Sequence, residues 1–401
     1  MRLVTRSLLG VTLAAFPILP AGAASPPWPL GPDFVISEVA EEAFRPSIGA
    51  NADGVAVVVW TSSTKAAPEV RIYARIYAAD GTPASDPMVV AEGPQLDDPS
   101  VAVAGDGSFV VGWRGEDSDD DGFLARRFAA GGSPLGAAFV VNQVETARQI
   151  WPRLAAVPGG GFVAVWSAAP TPSGAIHGRL FDAGGQPLTG DTTLATSASP
   201  LLAPDLVHLD GGFAATWQRG AGGSVSIVAQ RLDGSLVPVG AENVVSSQLA
   251  PLVAAAPDGG DPFFAVVSFG LTTGVSLGRF DEDGQVGGYD NVSDSLTQQS
   301  WPSIAFDAAG NLVAAWVDST TPGSRIRGRL LDGRPPFGPP SASIVINTTE
   351  GFVSGKTALA SFPDGRVLAA WYSEDVIRGR FLSSLMIFAD GFESGGTAAW
   401  N

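Results

Sequence analysis

Pro99-Ser100-Val101-Ala102-Val103-Ala104-Gly105-Asp106-Gly107-Ser108-Phe109-Val110-Val111-Gly112-Trp113 is the stretch that decides the fold. Residues 99–104 are short and alternating, which predicts a strand. Asp106-Gly107 is a hairpin-turn signal. Residues 108–113 form a second strand ending in Trp113, and a polar stretch covers 114–122. Phe123-Leu124-Ala125-Arg126-Arg127-Phe128 reads as a third strand, Gly131-Gly132 as a turn and residues 138–142 as a fourth strand.

The same pattern recurs along the chain. Its Trp step falls at Trp60, Trp113, Trp166, Trp217, Phe269 (a substitution), Trp316 and Trp371, at intervals of 53, 53, 51, 52, 47 and 55 residues. The first strand opens at Pro46, Pro99, Pro152, Pro204, Pro251 and Pro302, with Thr357 in the seventh copy. Proline is tolerated at the first residue of a strand. The third strand carries Arg75, Arg127, Arg179, Arg231, Arg279, Arg329 and Arg380. Four short antiparallel strands per unit, at a period near 50 residues, predict an all-β, seven-bladed β-propeller over residues 30–382.

The two ends of the repeat complement each other. The seventh copy lacks a fourth strand, while Leu30-Gly31-Pro32-Asp33-Phe34-Val35-Ile36-Ser37 matches Leu135-Gly136-Ala137-Ala138-Phe139-Val140-Val141-Asn142 of the second copy. The expectation is a ring closed by the N-terminal strand in the last blade, which removes a sheet edge.

The chain has 401 residues, a formal net charge of −17, 50 Gly, 31 Pro and no Cys. The acidity argues against nucleic acid and anionic membranes as partners. Without Cys there is no disulfide framework or thiol chemistry. Residues 1–24 have the basic, apolar and Ala21-Gly22-Ala23 segments of a signal peptide, so export is expected: secreted, periplasmic or at the cell surface. No transmembrane segment and a monomer are expected.

A residue recurring in every blade serves the blade. The Trp series should pack between sheets, and the third-strand arginines are expected to lie near the Asp of the hairpin turns and pair with it. Function is then left to residues that break the pattern, on the face that carries the second-to-third-strand loops and the blade-to-blade connections. Asp117, Asp119 and Asp121 alternate before Gly122, a hard-oxygen arrangement suited to calcium. The twelfth loop position would be Phe128 rather than Glu, and a solvated acidic loop is the alternative. Trp151 and Trp301 precede the blade-opening prolines, where other copies have Arg45, Asp98, Ala203, Ala250 and Lys356. They could stack on a sugar or seal a seam between blades. His177 and His208 have no recognisable catalytic partners and read as structural. No catalytic residue is assigned.

The text of residues 99–142 resembles the tandem repeat of secreted bacterial propeller proteins, a resemblance that covers most of residues 30–382 and implies the ring fold without assigning an activity. The Asp390-Gly391-Phe392-Glu393-Ser394-Gly395 ending is similar to the C-terminal ending of many exported bacterial proteins. It makes 383–401 a tail with a sorting role or a strap against the last blade. The expected function is a non-enzymatic propeller binding an extracellular glycan or protein on its loop-rich face. The alternatives are a hydrolase or lyase acting on extracellular polysaccharide and a structural or adhesion component of the cell surface.

Overall fold

The computed structural model describes residues 28–383, apart from 65–68, 119, 145–147, 169–173, 221–224, 257–263, 271, 282–283, 286–289, 321–322, 334–338 and 349–352. The signal-peptide segment, the tail beyond 383 and Asp119 lie outside the described residues. Seven antiparallel sheets form a seven-bladed ring, and no helix occurs among the described residues. In the first blade the strands run Glu42–Ala50, Ala56–Ser63, Val70–Tyr77 and Met88–Gly93, from the centre outward. The later inner strands are Asp97–Val103, Gln149–Ala156, Leu201–Leu209, Leu249–Ala255, Gln299–Phe306 and Val353–Ser361. Each inner strand touches the next, and the seventh touches the first, so together they wall a central channel.

The ring closes as the sequence predicts. Trp28–Val35 pairs antiparallel with Val376–Ser383 and supplies the outer strand of the seventh blade. Hydrogen bonds from Ile36 N to Ile377 O (2.8 Å) and from Ala43 N to Asp375 O (2.8 Å) continue the closure.

The core lies in the seams. Seven apolar clusters each combine residues of two adjacent blades, one cluster per seam. Six hold one fully buried Trp: Trp60, Trp113, Trp166, Trp217, Trp316 or Trp371. Truncating a buried Trp to Ala costs about 3–5 kcal/mol, so each is a strong anchor of its seam. The seam between the fourth and fifth blades relies on Phe264 and Phe280 instead.

Two repeat alignments need correction. Leu252 pairs with Val267 as Asp205 pairs with Thr216. Ser268, one residue on, therefore occupies the Trp position of the fifth blade, and Phe269 follows it. The arginine series also splits into two registers. Arg75, Arg179, Arg329 and Arg380 lie opposite the residue two before the Trp, where Arg126 stands in the second blade. Arg127, Arg231 and, with Ser268 at the Trp position, Arg279 lie opposite the residue three before it. Neighbouring positions on a strand face opposite ways, so the registers serve different seams.

Arg75, Arg126, Arg179 and Arg380 share one bonding pattern, and it is not a pair with the hairpin aspartates. Nε donates to a carbonyl of the same blade's outer segment: Ser85 (3.2 Å), Gly136 (3.1 Å), Thr189 (3.0 Å) and Gly31 (2.8 Å). Nη1 crosses to the preceding blade and donates to the carbonyls of Ile36 (3.0 Å), Val90 (3.1 Å), Val141 (2.8 Å) and Ile346. The N-terminal strand supplies Gly31 to one of these staples, and Ile36, just after it, serves another. The closing seam thus repeats the bonding of the ordinary ones.

Candidate functional site at the channel mouth

Every inner strand contains a bulge at the step where the chain enters the blade. Pairing shifts between Phe44 and Ser47, Asp97 and Ser100, Ile150 and Arg153, Leu202 and Asp205, Leu249 and Leu252, Ser300 and Ser303, and Ser354 and Thr357. Six bulge residues hold a left-handed backbone, with φ between 44° and 54°: Arg45, Asp98, Trp151, Ala203, Ala250 and Trp301. The proline that follows each disfavours the right-handed helical region there. A bulge re-aims the side chain that carries it, and these residues, with Gly355, surround one cavity of about 380 Å³.

The seventh blade departs from the others. Its bulge holds one more residue, Gly355 (φ 74°), which takes the left-handed place. Lys356, aligned by sequence with Trp151 and Trp301, therefore lines both the mouth cavity and a deeper cavity of about 280 Å³. Arg153 and Leu252 also line both. The residues just after the repeat prolines make a second ring, further down: Ser47, Ser100, Arg153, Asp205, Leu252 and Ser303.

Trp151 and Trp301 belong to the third and sixth blades, nearly opposite each other around a seven-membered ring. Trp301 is 45% exposed, and its ring meets Phe269 at 5.9 Å between centroids. Phe269, the residue after the Ser268 that breaks the Trp series, thus packs against Trp301. Trp151 is half-buried.

Charge is concentrated between the two indoles. Arg45, Arg153 and Lys356 line the mouth cavity against one carboxylate, Asp98. Arg45 Nη1 lies 2.8 Å from Asp98 and also contacts Asp97. Arg153 Nε is 3.8 Å from Asp205 Oδ1, while Nη1 donates to the carbonyl of Pro152 (2.8 Å). Asp205 Oδ2 accepts from Val253 N at 3.0 Å. Burial pushes the Asp205 carboxyl above its usual value. Among the described residues no carboxylate comes within ion-pair distance of Lys356. Enclosure in the channel and then the positive charge of Arg153 lower its ammonium to about 7, although the side chain keeps some contact with channel water.

The acidic loop of the second blade is arranged differently. Arg114 lies 3.2 Å from Asp121 and 2.9 Å from Asp97, and Arg148 also contacts Asp121. Asp117 accepts from Asp120 N (3.2 Å) and Asn142 Nδ2 (3.3 Å). A calcium ion bound through Asp121 would have to displace two guanidinium groups. His177 lies 3.3 Å from Thr193 Oγ1, and burial lowers its pKa and that of His208.

The sequence reading singled out Trp151 and Trp301, and the structure brings them to one cavity. It missed Arg153 and Asp205. Their signal was available: the residue after each repeat proline is Ser47, Ser100, Arg153, Asp205, Leu252 and Ser303, and two charges interrupt that column. Lys356 was seen only as the rim counterpart of the Trp residues.

No protein-family model matches the chain, and no curated protein matches it by sequence. Similar folds occur among solved structures. A protein of unknown function from Dyadobacter fermentans is 14% identical, with a TM-score of 0.54 over 88% of this chain and 98% of that one. A PL25 polysaccharide lyase, an ulvan lyase bound to -[GlcA(1-4)Rha3S]-, is 9% identical, with a TM-score of 0.57 over 91% and 96%. The polysaccharide lyase Uly1 is 10% identical, with a TM-score of 0.50 over 93% and 94%. At these identities the likeness is one of fold. No helix among the described residues is long and apolar enough to cross a membrane.

Proposed function

We propose that this propeller captures an acidic extracellular polysaccharide across the mouth of its central channel. The observation that carries the reading is the pair of indoles, Trp151 and Trp301, on opposite sides of one cavity that also presents Arg45, Arg153 and Lys356. Aromatic faces suit the apolar faces of sugar rings, and fixed cations suit carboxylate or sulfate substituents. The net charge of −17 repels a polyanion at long range, but salt screens that repulsion beyond about 10 Å at 0.1 M ionic strength. At contact the lining presents Arg45 and Arg153, joined by Lys356 in its protonated form below about pH 7, against Asp98.

A second reading, cleavage of the bound polymer, is favoured by Lys356 and by the two polysaccharide lyases that share the fold. Titration calorimetry with acidic and neutral polysaccharides tests the capture itself. Binding of the acidic polymers that weakens in Trp151→Ala and Trp301→Ala supports it. Equal affinity for neutral polymers, or variants indistinguishable from the parent, would remove it.

A further inference from the structure

We propose that Lys356 is the base of a β-elimination that cleaves a uronate-containing polysaccharide, with Arg153 holding the carboxylate of the sugar being cleaved. The inference rests on the acidic-polysaccharide reading above and adds a reaction and a substrate class to it.

The two side chains occupy the neck where the mouth cavity meets the deeper one. A polymer lying across Trp151 and Trp301 would pass over this neck. The Arg153 guanidinium is anchored by Nη1 to the carbonyl of Pro152 and lies beside Asp205, which itself accepts from Val253 N. A uronate carboxylate set against Arg153 loses much of its negative charge to that pairing. The hydrogen on the adjacent carbon, C5, then becomes more acidic. Lys356 is the nearby group able to take it, because no carboxylate of the described residues holds its ammonium in an ion pair.

The step balances within the substrate and the lysine. The Nζ lone pair of neutral Lys356 takes the C5 proton, and that C–H electron pair becomes the C4=C5 double bond. The C4–O4 bond breaks, and its electrons leave on O4, the glycosidic oxygen that stays bonded to the anomeric carbon of the departing sugar. The new ammonium of Lys356 returns the proton to O4, so the amine is neutral again. One polymer gives two chains, one ending in a C4=C5 unsaturated uronate, with no co-reactant consumed. A lysine near pH 7 in its titration supplies both forms. Hydrolysis by a carboxylate pair fits less well, because Asp205 is engaged by Val253 and Arg153.

The test uses alginate, polygalacturonate and a -[GlcA(1-4)Rha3S]- polymer, the last being the ligand of the PL25 structure. Calorimetry reads binding, and ultraviolet absorbance reads the unsaturated uronate. The wild type should eliminate at least one polymer that it binds, with a rate rising as pH passes through about 7. At saturating polymer, Lys356→Met and Lys356→Arg should lose about 10²–10⁴-fold in rate. Melting curves confirm that both variants fold. Binding without absorbance change by the wild type overturns this inference and leaves the capture reading standing. Elimination that survives in both variants, or a rate flat through pH 7, overturns the role of Lys356. Failure to bind any of the three polymers overturns both readings.

Discussion

The seam arginines and the channel cations are the same kinds of residue in opposite circumstances. Arg179 gives Nε to Thr189 O and Nη1 to Val141 O, tying two blades together with bonds repeated by Arg75, Arg126 and Arg380. Lys356 has no such partner among the described residues, and Arg153 reaches only its own Pro152 carbonyl and Asp205, at 3.8 Å. A charge that recurs at a fixed register in several blades is consumed by the ring. A charge that does not recur from blade to blade, such as Arg153 or Lys356, is left lining the channel. Repetition therefore separates structural from functional candidates of identical chemistry.

The largest effect is expected at the closing seam of the ring. Removing residues 28–37 takes away the outer strand of the seventh blade and the carbonyls that receive Arg75 and Arg380. The expected loss exceeds about 5 kcal/mol, the scale of a whole domain's stability. Circular dichroism should show no cooperative melt, and a native-like melt would contradict the closure. Trp166→Ala should cost about 3–5 kcal/mol of stability. Arg179→Ala should cost roughly 2–3 kcal/mol, since hydrogen bonds to a charged group are the stronger kind. Denaturant titration measures both, and neither variant should weaken polysaccharide binding once folded.

Trp301→Ala should behave the other way. Its side chain is half exposed, so stability should change by less than about 1 kcal/mol, while affinity for an acidic polysaccharide falls roughly tenfold. A variant that loses stability and keeps affinity would place Trp301 with the seam residues.

Lys356→Met sharpens the contrast through pH. In the folded protein the ammonium titrates near 7, well below the usual lysine value. Between about pH 7 and 10.4 the unfolded chain binds the proton and the folded one does not, so the wild type gains stability as pH rises through that window. Below 7 both states are protonated, and the folded state carries the full cost of an enclosed charge. Met removes that cost, so the variant should melt higher than the wild type at pH 6. The difference should shrink towards pH 10 and be on the order of 1 kcal/mol after allowance for channel water. A pH-independent difference would mean that the lysine is not desolvated. The smallest effect is expected from calcium. Asp121 is held by Arg114 and Arg148, so millimolar calcium should leave the melting temperature unmoved, and an upward shift would revive the loop as a metal site.

Much of this was legible in the sequence for a physical reason. Pro99, Asp106-Gly107 and Trp113 each answer a local demand of strand start, turn and seam, and seven copies average away the exceptions. The closure was legible because residues 30–37 match a fourth strand that the seventh copy lacks. Register was harder. A one-residue slip in a strand leaves the sequence looking right, and that slip misplaced the pattern break onto Phe269 instead of Ser268 and merged two arginine series into one. The bulge residues were visible as a pre-proline column, but their convergence on one cavity depends on a left-handed backbone that no local motif announces. Lys356 was aligned with the rim because nothing in the sequence marks Gly355 as an extra bulge residue.

A ligand site formed at the channel mouth by the residues that break the repeat would be visible crystallographically. A crystal structure of the protein with a glucuronate-containing tetrasaccharide tests it most directly. Sugar rings should lie between Trp151 and Trp301, with a carboxylate against Arg153 and C5 facing Lys356. A tetrasaccharide seated on the outer strands or the hairpin-turn face, with the mouth empty, would contradict it.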